Sequence, residues 1–153
     1  FETMFHAIIG LFDRLNAPLL SVKLCCDCSH HHTHLSLAVC KTWDGALEYC
    51  RTHYNDLASL STNERMDSAL LEITRTETEY VWTGLRFLAG DWFWVNGDVL
   101  DYTAWYQNEQ PQCPARDLRC GALDKQTKLW THRNCEEKLS FFCQYGAMKQ
   151  TNS

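Results

Sequence analysis

Nine cysteines are spread along 153 residues: Cys25, Cys26, Cys28, Cys40, Cys50, Cys113, Cys120, Cys135 and Cys143. A cytosolic chain of this size carries so many thiols only to bind metal or to do redox chemistry, whereas an oxidising compartment turns them into cross-links. Extracellular cross-linking is the simpler reading, in a secreted protein or in the ectodomain of a membrane receptor. Each bridge removes loop entropy from the unfolded chain, so the cysteines constrain the fold before any core is considered. Nine is also odd, so at least one cysteine stays free or bonds outside the chain, as in a disulfide-linked oligomer. A sequence 45% hydrophobic and 22% charged can build one domain with a substantial core. Its formal charge of -5, with no basic stripe to displace counterions from phosphate, argues against a nucleic-acid partner.

The chain divides near residue 34. Every Trp and every Tyr lies beyond that point, while Cys25, Cys26, Cys28 and five of the seven His lie at or before it. Within residues 1–33, Met4, Ile8, Leu11, Phe12 and Leu15 fall at roughly helical spacing, and Asn16-Ala17-Pro18 would end such a helix. Lacking Trp and Tyr, this segment is expected to stand outside the folded core, and residues 147–153 read as a C-terminal tail. The longest apolar patch, Met4 to Phe12, is far short of the ~18–20 residues that span a bilayer, so no membrane insertion is expected from it. The sequence opens on Phe1-Glu2-Thr3, with neither an initiator Met nor a basic start, and reads as a piece of a longer chain. Cys25, Cys28, His31 and His34 resemble metal ligands, but their short, even steps lack the longer loop that lets four side chains converge on zinc. Pairing among the cysteines, or a stretch unrelated to the domain, is the simpler account, and no metal site is expected there.

Beyond residue 34 two helices precede a strand-rich half. Thr42 is placed to cap a helix whose Trp43, Ala46, Leu47 and Cys50 form one apolar stripe. A short strand, Asp56 to Leu60, leads to Ser61-Thr62-Asn63-Glu64, a capping box that opens a second helix with Met66, Ala69, Leu70 and Ile73 inward. From Tyr80 the pattern turns to β. Trp92-Phe93-Trp94-Val95, then Asn96-Gly97, then Val99 to Tyr102 predict a hairpin turning at Asn96-Gly97. Leu129-Trp130 and Leu139 to Cys143 supply the closing strands.

Taken in order, Thr42-Trp43, Ala46 to Cys50, Asp56 to Leu60, Val81-Trp82-Thr83-Gly84-Leu85, Trp94 with Asn96-Gly97, Tyr102 to Trp105, Gln110-Pro111-Gln112, Cys120, Trp130, Cys135 and Phe141-Phe142-Cys143 resemble the C-type lectin-like domain. The wording is most similar to domains of the macrophage mannose receptor group, over about residues 34–144, within a domain expected to span residues 34–146. The resemblance implies an α+β, disulfide-braced fold of two helices, small antiparallel sheets and a long loop. It also implies that Cys50 pairs with Cys143 and Cys120 with Cys135. Cys25, Cys26, Cys28, Cys40 and Cys113 lie outside that pattern; a pair between Cys40 and Cys113 would need Cα atoms within about 7 Å.

Sugar-binding members of the family grip sugar hydroxyls through a calcium ion. Its ligands come from a Glu-Pro-Asn or Gln-Pro-Asp motif in the long loop and from the Asn-Asp of Trp-Asn-Asp. At those positions this chain has Gln110-Pro111-Gln112 and Trp130-Thr131-His132. Calcium takes about six to eight oxygens, several of them carboxylate, and Gln110, Gln112, Thr131 and His132 supply no carboxylate. Glu109 and Asp117 lie nearby, among Arg116, Arg119 and Arg133, which would repel the ion. No cofactor is therefore expected. Pro111 reads as a loop-shaping residue, with a cis bond as one option. Trp82, Trp92, Trp94 and Trp130 read as packing, while Trp105 and Tyr106 stand out for exposed contact. No His-Glu-x-x-His, Gly-x-Ser-x-Gly or phosphate-binding glycine loop is present, and catalytic residues are not expected. The expected function is recognition of a protein or glycan through Trp105, Gln110, Gln112, Asp117, Thr131 and His132. A calcium-dependent lectin with a degenerate site is the alternative.

Overall fold

The computed structural model describes residues 22–25 and 40–145. The N-terminal apolar segment, most of the Cys/His-rich stretch and the tail lie outside the described residues. Helix α1, Trp43–His53, starts where Thr42 in extended conformation accepts a hydrogen bond from the Gly45 N–H at 3.2 Å. Asp44 in its first turn and Arg51 and His53 in its last complement the helix dipole. Its buried residues are Trp43, Ala46 and Cys50, with Leu47 half-buried beside them. Helix α2, Asn63–Glu72, buries Met66 and Ala69 and runs into a 3-10 turn at Ile73–Arg75. Its cap is Thr62, one residue later than the Ser61 box predicts. Ser61 instead donates to the Asp98 carboxylate at 3.1 Å.

The strands are β1 (Val22–Cys25), β2 (Asp56–Leu57), β3 (Tyr80–Leu88), β4 (Asp91–Trp94), β5 (Cys120–Asp124), β6 (Trp130–Arg133) and β7 (Ser140–Gln144). They join in one sheet of order β1-β7-β3-β5-β6, with β2 on β7 and β4 on β3, rather than in separate small sheets. The β3–β7 pairing is parallel and the others are antiparallel. Two expectations are corrected. Residues 1–33 do not all stand outside the core: Val22–Cys25 pair with Gln144–Phe141, and Val22 is buried. The edge of β7 opposite β3 and β2 accepts another strand along Phe141–Gln144, and backbone pairing needs no aromatic residue from the strand that adds. The hairpin also turns elsewhere. Leu88 pairs with Asp91, so the two-residue turn is Ala89-Gly90, both with the positive φ that a type I′ turn demands. Asn96-Gly97 makes a separate turn, Gly97 N–H to Trp94 C=O at 3.0 Å, which sends the chain into a long irregular stretch instead of a strand at Val99–Tyr102.

The sheet is covered on both faces, which explains why β3 is buried almost throughout. One cluster packs α1 through Trp43, Ala46 and Cys50 on Trp82, Ala122 and Phe141. The other packs α2 through Met66, Ala69 and Ile73 with Val81, Leu85, Leu123, Trp94, Trp105 and Trp130. Gly121 lets β5 meet β3 closely, since a Cβ there would stand 2.3 Å from Leu85 Cβ. Cys50–Cys143 ties α1 to β7 across 93 residues, and Cys120–Cys135 closes 15 residues. On the chain-entropy model such loops contribute about 4–5 and about 3 kcal/mol. Cys40 is also disulfide-bonded and Cys113 is an exposed free thiol, so the two do not pair with each other.

Candidate functional site

The long irregular stretch between β4 and β5 is pinned at several places. Trp105 forms a parallel bridge with Trp130, and the Trp130 N–H donates to Ala104 C=O at 2.8 Å. The buried Trp92 donates its indole N–H to Pro111 C=O at 2.9 Å. At the far end the Phe87 N–H donates to Arg119 C=O at 2.9 Å. Between these anchors Gln107, Asn108 and Cys113 take positive φ, a costly conformation for residues with a side chain. Among the described residues there is no cis peptide, so Pro111 shapes the loop in the trans form.

Against β6 this loop makes a pocket of about 350 Å³, lined by Trp105, Tyr106, Gln107, Glu109, Gln110, Pro111, Gln112, Trp130, Thr131 and His132. The structure thus brings together Trp105, Gln110, Gln112, Thr131 and His132. Asp117 is exposed and does not line the pocket. Trp105 is not the exposed platform that the sequence suggests. It is 3% exposed and packs on Trp92 and Trp130 at ring distances of 4.9 and 5.7 Å, because those two rings offer it more apolar contact than the surface does. Tyr106, 50% exposed, is the aromatic residue that faces solvent. Gln107 and the Trp92 anchor are not evident from sequence, since a left-handed glutamine and an indole bond to a distant carbonyl leave no local signature.

The three arginines expected to surround the pocket do not line it. Arg133 lies over the Tyr80 ring at 4.2 Å and pairs with Glu137 at 2.9 Å. Arg119 lies over Phe87 at 5.7 Å. Arg116 is exposed. Burial first, and then the positive charge of Arg133, lower the pKa of His132 from its usual 6.5, which keeps the imidazole neutral and able to both donate and accept. Gln112 Nε2 donates to Gln110 C=O at 3.2 Å, which shapes the motif internally. The pocket therefore presents neutral amides, the hydroxyls of Tyr106 and Thr131, a neutral imidazole, one carboxylate (Glu109) and aromatic walls. Among the described residues no group of three His, Cys, Asp or Glu is placed to hold a metal ion.

The model of the Lectin C-type domain matches residues 39–145. The mouse (Mus musculus) secretory phospholipase A2 receptor is 26% identical over 132 residues, which cover 80% of this chain and only 9% of that receptor. One polypeptide of the snaclec coagulation factor IX/factor X-binding protein of Echis carinatus is 31% identical over 67% of this chain and 80% of its own length. Among solved structures, human lithostathine superposes with a TM-score of 0.62 at 25% identity, over 71% of this chain and 87% of that one. With two α-helices on a mixed sheet among the described residues, both expected disulfides formed and a family match over residues 39–145, the chain belongs to the C-type lectin domain family.

Proposed function

We propose that this domain is an extracellular recognition module, without catalytic activity, that binds a protein or glycan at the long-loop pocket and needs no calcium to do so. The observation that carries this reading is the pocket's donor set. Glu109 is its only carboxylate, whereas calcium affinity grows with the number of carboxylates in the site. A neutral His132, three glutamines and the exposed Tyr106 suit hydrogen bonding and aromatic contact with an uncharged polar surface. Among the described residues no helix is long and apolar enough to cross a membrane.

The test is a pair of measurements. Thermal melts in 1 mM calcium and in chelator should coincide; a site with a Kd of ~10 μM would instead add about 2.7 kcal/mol. A glycan array read with and without chelator should show the same binding in both. The triple variant Gln112→Asp, Thr131→Asn, His132→Asp, which adds two carboxylates, should gain a calcium-dependent rise in stability. A multi-kcal/mol calcium shift in the unmodified chain, with sugar binding abolished by chelator, would overturn the proposal in favour of a calcium-dependent lectin.

A further inference from the structure

Arg86 on β3 does not reach solvent as an ordinary surface cation does. Its guanidinium lies over the Trp43 ring at 4.9 Å, and Nη1 stands 2.7 Å from Cys120 Sγ and 3.2 Å from Cys135 Sγ. The two cysteines of this bridge differ in exposure. Cys120 is 0% exposed on β5, while Cys135 is partly exposed just beyond β6. In the other bridge between described residues, Cys50 and Cys143 are both 0% exposed.

Thiol–disulfide exchange depends on which sulfur a thiolate can reach and on how well the departing sulfur carries negative charge. A guanidinium beside a sulfur favours its thiolate. Both conditions select one direction here: the more exposed cysteine is Cys135, and the sulfur nearer the cation is Cys120. We propose that the Cys120–Cys135 bridge is a thiol-exchange site for low-molecular-weight thiols, with attack at Cys135 and Arg86 stabilising the leaving thiolate of Cys120. In the first step a thiolate RS⁻ bonds to Cys135 Sγ, the bond between the two cysteine sulfurs breaks, and its electron pair leaves on Cys120. A second RS⁻ then takes the bound RS group as RSSR and leaves Cys135 as thiolate. The two protons released by the two RSH molecules end on Cys120 and Cys135, so the bridge gains two electrons and the small thiols lose two. The bridge spans the β5–β6 hairpin, whose outer strand carries Thr131 and His132, so opening it frees that strand's far end.

The experiment incubates the full chain with reduced glutathione, traps free thiols with an alkylating reagent at set times, and maps adducts by peptide mass spectrometry. Cys120–Cys135 should open at least about tenfold faster than Cys50–Cys143, with the glutathione adduct on Cys135. Arg86→Gln should slow the opening by about three- to tenfold, and Arg86→Lys should restore most of the rate. A merely structural arginine predicts the opposite sign, because losing it loosens the neighbourhood and speeds exchange. Equal rates for the two bridges, an adduct on Cys120, or an unchanged or faster rate in Arg86→Gln would overturn the proposal. If Arg86→Gln does not fold, the adduct position and the ratio of the two rates in the unmodified chain decide the matter.

Discussion

At Ala89 the backbone has φ 53° and at Gly90 φ 92°. Glycine takes such values freely, but alanine does so at a cost of about 1 kcal/mol, and asparagine tolerates them better. Replacing Ala89 by Asn gives the Asn-Gly pair that type I′ turns prefer, and should raise stability by about 0.5–1 kcal/mol in a denaturant titration. The same residue explains why the sequence points to the wrong hairpin turn: Ala-Gly is a weak turn signal and Asn96-Gly97 is a strong one. Asp98, just after that second turn, opposes its own burial with hydrogen bonds from Ser59 and Arg65, an interaction with Asn96 and the Arg65 charge. Together these hold its carboxyl at about 2 instead of 3.8. Between those values the folded state binds fewer protons than the unfolded one, so stability complete above about pH 4 is lost as pH falls toward 2. His132 acts in the same direction at higher pH, because its lowered pKa makes the folded state resist protonation below about 6.5. Asp98→Asn should cost about 1–2 kcal/mol at neutral pH, with solvent screening allowed for, and should flatten the stability curve between pH 2 and 4.

The helices were legible because their apolar spacing and caps are local: Trp43, Ala46 and Cys50 turn inward on α1, and Met66, Ala69 and Ile73 on α2 and its continuation. Strand β1 was not legible, because a four-residue edge strand is defined by the strand beside it. Its pairing with β7 and the burial of Val22 predict that deleting residues 1–30 lowers stability by about 2 kcal/mol or more, a fall of several degrees in a thermal melt. An unchanged melt would show that β1 adds nothing to the folded domain. The long loop falls between these cases. Its sequence motif located Gln110, Gln112, Thr131 and His132, which share one pocket, but nothing local showed that Trp92 holds Pro111 from the core.

Among the described residues Cys50–Cys143 is the widest staple, joining helix α1 to strand β7. Replacing both cysteines with Ala should cost about 2–5 kcal/mol, read as a lower denaturation midpoint with the slope checked for a more expanded unfolded state. By itself the sequence determined the class of fold, the two helices, both family bridges and the residues facing one another across the long loop. The helices follow from apolar period and capping residues, which are local, while the fold class, the two bridges and the long-loop positions came from the resemblance that the ordered motifs carry. The tertiary structure alone decided that Trp105 is buried, that Asp117 stands apart from the pocket, that Arg86 meets the Cys120–Cys135 sulfurs and that Val22–Cys25 completes the sheet. Each of these depends on which distant segments come to lie side by side, and that is settled by global packing, which local sequence does not encode.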